Sequence, residues 1–290
     1  MKKLKIILEM IKFKHTIFAL PFAFLGAVLG SLLMTGGWPS IAEWIWITLA
    51  MVGARSAAMS LNRLIDANID KDNPRTASRA IPAGLISRVE TVGFIIFSFA
   101  LLFFSAYQLN MLAVYLLPLT VFFLVFYSYT KRFTWACHIF LGITIGLAPL
   151  GGWVGATGSL TTWVPYVLFI AVALWTAGFD VIYATQDTKY DKKVKLHSIP
   201  SRFGIGKALL LAKVFHIVSF IAMVVLFFIT PLGWIYLIGV LIAGGLMAYE
   251  HSLVSPQDLS KVNVAFFTMN GIISLVMLAF TIGDLLLWTT

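Results

Sequence analysis

The sequence predicts an all-α membrane protein of nine transmembrane helices. Three observations lead there. Of the 290 residues, 60% are hydrophobic and only 11% charged, and mean hydropathy is +0.94; soluble domains carry about 25% charged residues. Apolar runs of about 18 residues or more, each able to cross a bilayer, recur from end to end. The Lys and Arg residues fall almost entirely in alternate linkers. A transmembrane barrel would show short alternating segments instead.

The elements follow in chain order. The start, "MKKLKIILEMIKFKHTIFALPF", is basic like a signal peptide, but Glu9, Lys12, Lys14 and His15 interrupt any short apolar core. No small-residue cleavage site follows at once, so it reads as an interfacial basic helix ahead of an uncleaved first span. Spans are expected over 16–34, 41–65, 91–108, 111–129, 135–154, 163–185, 207–229, 232–249 and 264–288. The turns "TGGWPS", "QLN", "GATGSLTT" and "TPLG" are short and free of Lys and Arg. The alternate linkers hold Lys2 to Lys14, Arg63 to Arg88, Lys131 and Arg132, Lys189 to Lys207, and Lys261. The positive-inside rule makes these ends cytoplasmic, with the N-terminus inside and the C-terminus outside a multi-pass cell membrane protein.

This placement explains the net charge of +9 without nucleic acid as a partner. The single cysteine, Cys137, excludes an intramolecular disulfide and a multi-cysteine metal site. "GGWVG" and "GITIGLAPLGG" read as close helix packing, not phosphate loops, because they lie on the outer side or within a span. One transmembrane domain is expected over 1–290. The two long linkers, each acidic, then basic, then Ile-Pro before Gly, lie four helices apart. They point to a pseudo-repeat over roughly 1–130 and 131–250 plus a final helix.

Both long linkers open on carboxylates. In "NRLIDANIDKDNPRT", Asn62, Asp66 and Asp70 recur every fourth residue and share a stripe about 80° wide on a helix. In "DVIYATQDTKYD", Asp180, Asp187 and Asp191 lie within about 40° if the segment is helical throughout. Asp72 reads as a solvated neighbour of Lys and Arg. The rest do not, because Asp180 lies inside an apolar span, where ionisable groups are functional by default, and like charges one turn apart repel. Hard oxygen donors without His or Cys suit Mg²⁺ or Mn²⁺. Mg²⁺ usually takes one or two carboxylates together with waters and substrate phosphate oxygens. Basic neighbours can neutralise the phosphate left over. The combination describes a metal-bridged diphosphate at the membrane surface, its lipid tail among the helices.

The two stretches resemble the NxxxDxxxD and DxxYAxxDxxxD motifs of the UbiA superfamily of intramembrane aromatic prenyltransferases, and "YSYTKRFT" at 127–134 resembles the family segment after the fourth span. The resemblance spans essentially the whole chain. It departs at Arg63, where many members carry a second Asp. It implies a UbiA-like bundle with its active site on the cytoplasmic side. The implied reaction moves a polyprenyl group from polyprenyl diphosphate to an aromatic acceptor. By position, Asn62, Asp66 and Asp70 would hold one Mg²⁺, and Asp187 and Asp191 a second. Arg63, Arg79, Lys131 and Arg132 are the favoured diphosphate contacts, with Arg75, Lys189 and Lys193 also in reach. Tyr183, Tyr127 and Tyr129 are candidates to face an allylic cation, Tyr183 foremost since it lies inside a motif. Asp180 belongs to the acceptor side, orienting the phenol or taking the ring proton. Arg55, about three turns before Asp66, needs an anion at that depth. That anion is either Asp180 or an acceptor carboxylate such as that of 4-hydroxybenzoate in ubiquinone-type biosynthesis.

The prenyltransferases of the futalosine route to menaquinone carry similar wording and are the alternative within the family. A divalent-cation transporter is the alternative outside it, weakened because only Glu43 and Asp284 lie towards the outer face. The five histidines, His138 among them, show no ligand spacing and take no role here. The charge pattern makes a topology prediction. A cysteine placed in 155–162 should react with an impermeant thiol reagent from outside the cell, and one placed in 66–90 or 187–206 should not. Outside labelling of the long linkers would invert the topology.

Overall fold

The computed structural model describes residues 2–11 and 19–288, and these form helices and turns with no strand among them. Helix α1 (Lys2–Met10) is amphipathic, and its Ile6, Ile7 and Met10 pack on Ala67, Ile81 and Ile86. Lys12, Lys14, His15 and the first residues of the expected first span lie outside the described residues.

The long helices follow the apolar runs: α2 (Leu20–Thr35), α3 (Ile41–Ile65), α5 (Arg88–Leu109), α7 (Leu117–Thr130), α8 (Cys137–Thr157), α9 (Val164–Ala184), α12 (Ile205–Ile229), α13 (Trp234–Ser252) and α14 (Asn270–Trp288). Between them stand short helices: α4 (Ala67–Asp72), α6 (Met111–Tyr115), α10 (Thr188–Lys193) and α11 (Ile199–Phe203). Seven helices among the described residues are long and apolar enough to cross a membrane, and Leu20–Thr35 and Leu117–Thr130 are shorter apolar helices. The fourth expected span is divided, because Pro118 at the start of α7 cannot supply an N–H to continue α6. Capping boxes start α3 (Ser40 with Glu43) and α5 (Ser87 with Glu90), satisfying N–H groups that a helix end leaves open.

Helix α8 lies between α2 and α9, α3 packs on α5, α9 on α12, and α13 on α14. Glycines set the first of these distances. A Cβ on Gly26 would lie 2.0 Å from the Pro149 carbonyl oxygen, and one on Gly152 would lie 2.0 Å from that of Ala23. The α2 and α8 backbones therefore touch, the small-residue contact that replaces the hydrophobic effect inside a membrane. Trp153 and Trp175 fill the core beside it, each fully buried. The glycine-rich stretch of α8 is thus a packing element, as its sequence suggested.

Gly152→Val should lower the melting temperature in detergent, since overpacking costs about 1–3 kcal/mol. Gly151→Ala, whose Cβ meets nothing within 4 Å, should leave it unchanged.

Candidate active site

Each acidic stretch bends at its central aspartate. Asp66 sits between α3 and α4 at φ −89°, ψ 1°. Asp187 ends a 3₁₀ turn (Thr185–Asp187) ahead of α10 at φ −95°, ψ 0°. Both occupy the sparsely allowed region between helix and strand that recurs at active sites. The second stretch is therefore not one continuous helix, and the narrow stripe expected of it is opened by the turn.

Every aspartate of the two stretches except the exposed Asp72 has a partner. Lys131 Nζ lies 2.6 Å from Asp66 Oδ2 and Arg132 Nη2 3.3 Å from Oδ1. Asn62 Nδ2 donates to the same carboxylate at 3.1 Å. Arg79 Nη1 reaches both oxygens of Asp70, at 2.6 and 2.7 Å. Arg75 grips Asp187 through Nε (2.8 Å) and Nη2, donates to the Tyr183 hydroxyl at 3.1 Å, and lies 5.3 Å over the Tyr183 ring. Burial lowers the Arg75 pKa, but the bond to Asp187 outweighs it and raises the guanidinium above its ordinary value. Ser198 donates to Asp191 at 2.9 Å. Asp180 meets His138 Nδ1 at 2.7 Å.

These groups surround a polar cavity of about 600 Å³. Arg55, Asn62, Arg63, Arg79 and Lys131 line one side, and Asp180, Tyr183, Asp187 and Asp191 the other. Phe266 and Phe267 close the aromatic wall, Phe266 stacking 4.2 Å from Tyr183. Asp66, Asp70 and Arg132 are not lining residues; the two carboxylates are nearly fully buried behind their cations. Arg63 is buried too, its Nε 3.5 Å from the Met10 carbonyl oxygen. Tyr127 lines the cavity and donates to the Ala58 carbonyl oxygen, whereas Tyr129 is exposed with Arg132 over its ring. A second, apolar cavity of about 180 Å³ adjoins, and Arg55, Met59, Tyr127, Leu141 and Ile145 line both.

Two residues alter the reading of the sequence. His138 was passed over because it has no neighbour of like kind in the chain, yet it is the partner of Asp180, with Nε2 buried and unbonded. That removes Asp180 as the anion for Arg55: among the described residues no carboxylate pairs with Arg55, and its buried Nε has no hydrogen-bond partner. The oxygen donors Asn62, Asp66, Asp70, Asp187 and Asp191 fit a hard divalent cation in kind. No three acidic, His or Cys groups converge among the described residues, and Lys and Arg side chains pair with Asp66, Asp70 and Asp187. The set fits an ion that completes its shell with water and phosphate oxygens.

Comparison with known proteins decides the family. Residues 19–272 match the UbiA prenyltransferase family. The chain belongs to that family. It is 29% identical over 255 residues to a 4-hydroxybenzoate octaprenyltransferase of Vibrio cholerae, covering 88% of both chains. Its fold matches the apo structure of a UbiA homologue from Aeropyrum pernix K1 (TM-score 0.85, 30% identity, 94% of this chain and 98% of that one). It also matches a UbiA homologue from Archaeoglobus fulgidus bound to GPP and Mg²⁺ (TM-score 0.72, 20% identity, 96% and 99%), a likeness of fold. This UbiA prenyltransferase is a multi-pass membrane enzyme, which displaces the transporter reading.

Proposed function

We propose that this enzyme transfers a polyprenyl group from polyprenyl diphosphate to the ring of an aromatic acid, 4-hydroxybenzoate, in ubiquinone-type biosynthesis. The observation that carries the acceptor's chemistry is Arg55: a half-buried guanidinium without a protein anion, on the border of the polar and apolar cavities. An acceptor carboxylate supplies the missing charge through the bidentate fork that arginine offers. The V. cholerae relative, whose name states 4-hydroxybenzoate, supports the same choice.

The remaining residues divide the work. Asn62, Asp66, Asp70, Asp187 and Asp191 would hold Mg²⁺, or Mn²⁺, and when bound the ion neutralises the diphosphate as a leaving group. Lys131, Arg132, Arg79 and Arg75 are already gathered as partners of those carboxylates. Standing beside the residues that would hold the ion, these side chains would also meet phosphate oxygens and the charge that develops on the departing diphosphate. Arg63 adds positive charge to the same wall. The faces of Tyr183 and Tyr127 stabilise the allylic cation, and the apolar lining of the adjoining cavity shields it from water. On the acceptor side, His138 Nδ1 pairs with Asp180 and its Nε2 is unbonded, so this pair would orient the phenol or take the ring proton. The allylic C–O bond ionises and releases the diphosphate, and a ring carbon bonds to the allylic cation. The hydrogen on that ring carbon is lost as a proton, which restores the aromatic ring and leaves with the pyrophosphate.

The site is placed at the cytoplasmic face of nine spans within a single domain. Supporting this, Arg75, Arg79, Lys131 and Arg132, from linkers grouped by the charge pattern, meet at one end of the bundle.

Purified protein given a polyprenyl diphosphate, 4-hydroxybenzoate and Mg²⁺ should release pyrophosphate and form prenylated acid. EDTA-stripped protein should do neither, and full turnover without metal would refute the ion's role. In Arg55→Lys, which keeps the charge but loses the fork, KM for 4-hydroxybenzoate should rise by about tenfold, near 1.4 kcal/mol. KM for the prenyl diphosphate should stay nearly constant. Equal rises in both, with a lower melting temperature, would make Arg55 a structural residue.

A further inference from the structure

Between α12 and α13 lies a groove of about 550 Å³, none of whose lining residues belongs to the two acidic stretches. Its two ends differ. Lys213, His216, His251 and Ser252 line one end, and Ile217, Phe220, Leu241 and Gly245 line the rest. Lys213 lies two turns into α12, roughly 12 Å from its first residue, and Ser252 ends the antiparallel α13. The polar end therefore sits near the membrane surface, where a lysine extends its ammonium towards headgroups. No carboxylate lines the groove; the nearest in sequence, Glu250, accepts from Asn270 instead. Lys213 is exposed and pairs with no acid among the described residues. An exposed cation near the interface without a protein anion is open to a lipid phosphate.

The histidines add direction. His216 Nε2 lies 3.1 Å from the Trp175 carbonyl oxygen, which can only accept, so Nε2 carries the hydrogen. His216 Nδ1 then accepts from His251 Nε2 at 3.0 Å. The chain of bonds ends on His251 Nδ1, a buried lone pair with no donor. The polar end thus offers a positive charge beside a bare acceptor. One ligand class answers both: an anion that also carries a hydroxyl. Further along, the groove is apolar, and a Cβ on Gly245 would meet nothing within 4 Å, leaving a channel for a hydrocarbon chain.

We propose that this groove binds one anionic glycerophospholipid with a hydroxylated headgroup. Its phosphate rests against Lys213, its hydroxyl donates to His251 Nδ1, and an acyl chain lies along Gly245. Binding is independent of prenyl transfer and is measured without it. The full chain, purified in neutral detergent, is melted with dioleoylphosphatidylglycerol, dioleoylphosphatidylcholine or glycerol 3-phosphate. Phosphatidylglycerol should raise the melting temperature by about 3 °C or more beyond phosphatidylcholine, and glycerol 3-phosphate, lacking chains, should not raise it. Lys213→Gln, a change at an exposed position that spares the fold, should abolish the excess. Gly245→Leu, which fills the channel, should abolish it too, while Lys261→Gln should retain it. Equal shifts with the two lipids, an excess that survives Lys213→Gln, or a full shift with glycerol 3-phosphate would each overturn the proposal.

Discussion

Anionic side chains at the end of a low-dielectric bundle repel one another and lose hydration, and the structure depends on how each is answered. Lys131 and Arg132 answer Asp66, Arg79 answers Asp70, Arg75 answers Asp187, His138 answers Asp180, and Ser198 supports Asp191. A buried carboxylate stripped of its partner is costly, so these contacts dictate where the linkers go. The turn after α4 must fold back for Arg79 and reach across for Arg75. The end of α7 must abut the end of α3. Three separated parts of the chain converge for electrostatic reasons before any substrate is considered.

The same contacts bear on chemistry. In the function proposed above, the cations that balance the carboxylates in the protein alone are also those that would meet a diphosphate. Positive charge brought in this way needs little reorganisation at the moment of reaction, the condition under which electrostatic catalysis is strongest. The bends at Asp66 and Asp187 serve it as well, since a straight helix would direct successive carboxylates along its flank.

Packing makes the division between rigid and open parts. Backbone contact between α2 and α8 through Gly26 and Gly152 leaves no room there. Towards α3, α5 and α7 the bundle opens into the apolar cavity, with Arg55 where the two cavities meet. A hydrocarbon chain and a charged ring substituent thus find adjacent but distinct surroundings. The aromatic wall of Tyr183, Phe266 and Phe267 lines the polar cavity beside Asp187.

The sequence by itself determined the helical class, the membrane setting, the bounds of most spans and the two acidic stretches. Each of these is written in local order: apolar runs long enough for a bilayer, turn residues between them, and carboxylates at helical spacing. It also carried the glycine contacts of α8, because a dense run of small residues has few other uses in a membrane. Only the tertiary structure decided which cation meets which carboxylate. Arg75 was one of several basic residues of equal standing in the two long linkers, and nothing local distinguishes it from Lys189 or Lys193. His138 was invisible for the same reason: its partner, Asp180, lies on the next helix, 42 positions away. Arg55 changed meaning when that pair formed, since an arginine whose candidate partner is taken must find its anion elsewhere. Such choices are made through space in a medium of low dielectric, where a contact of 2.6 Å outweighs any distance along the chain.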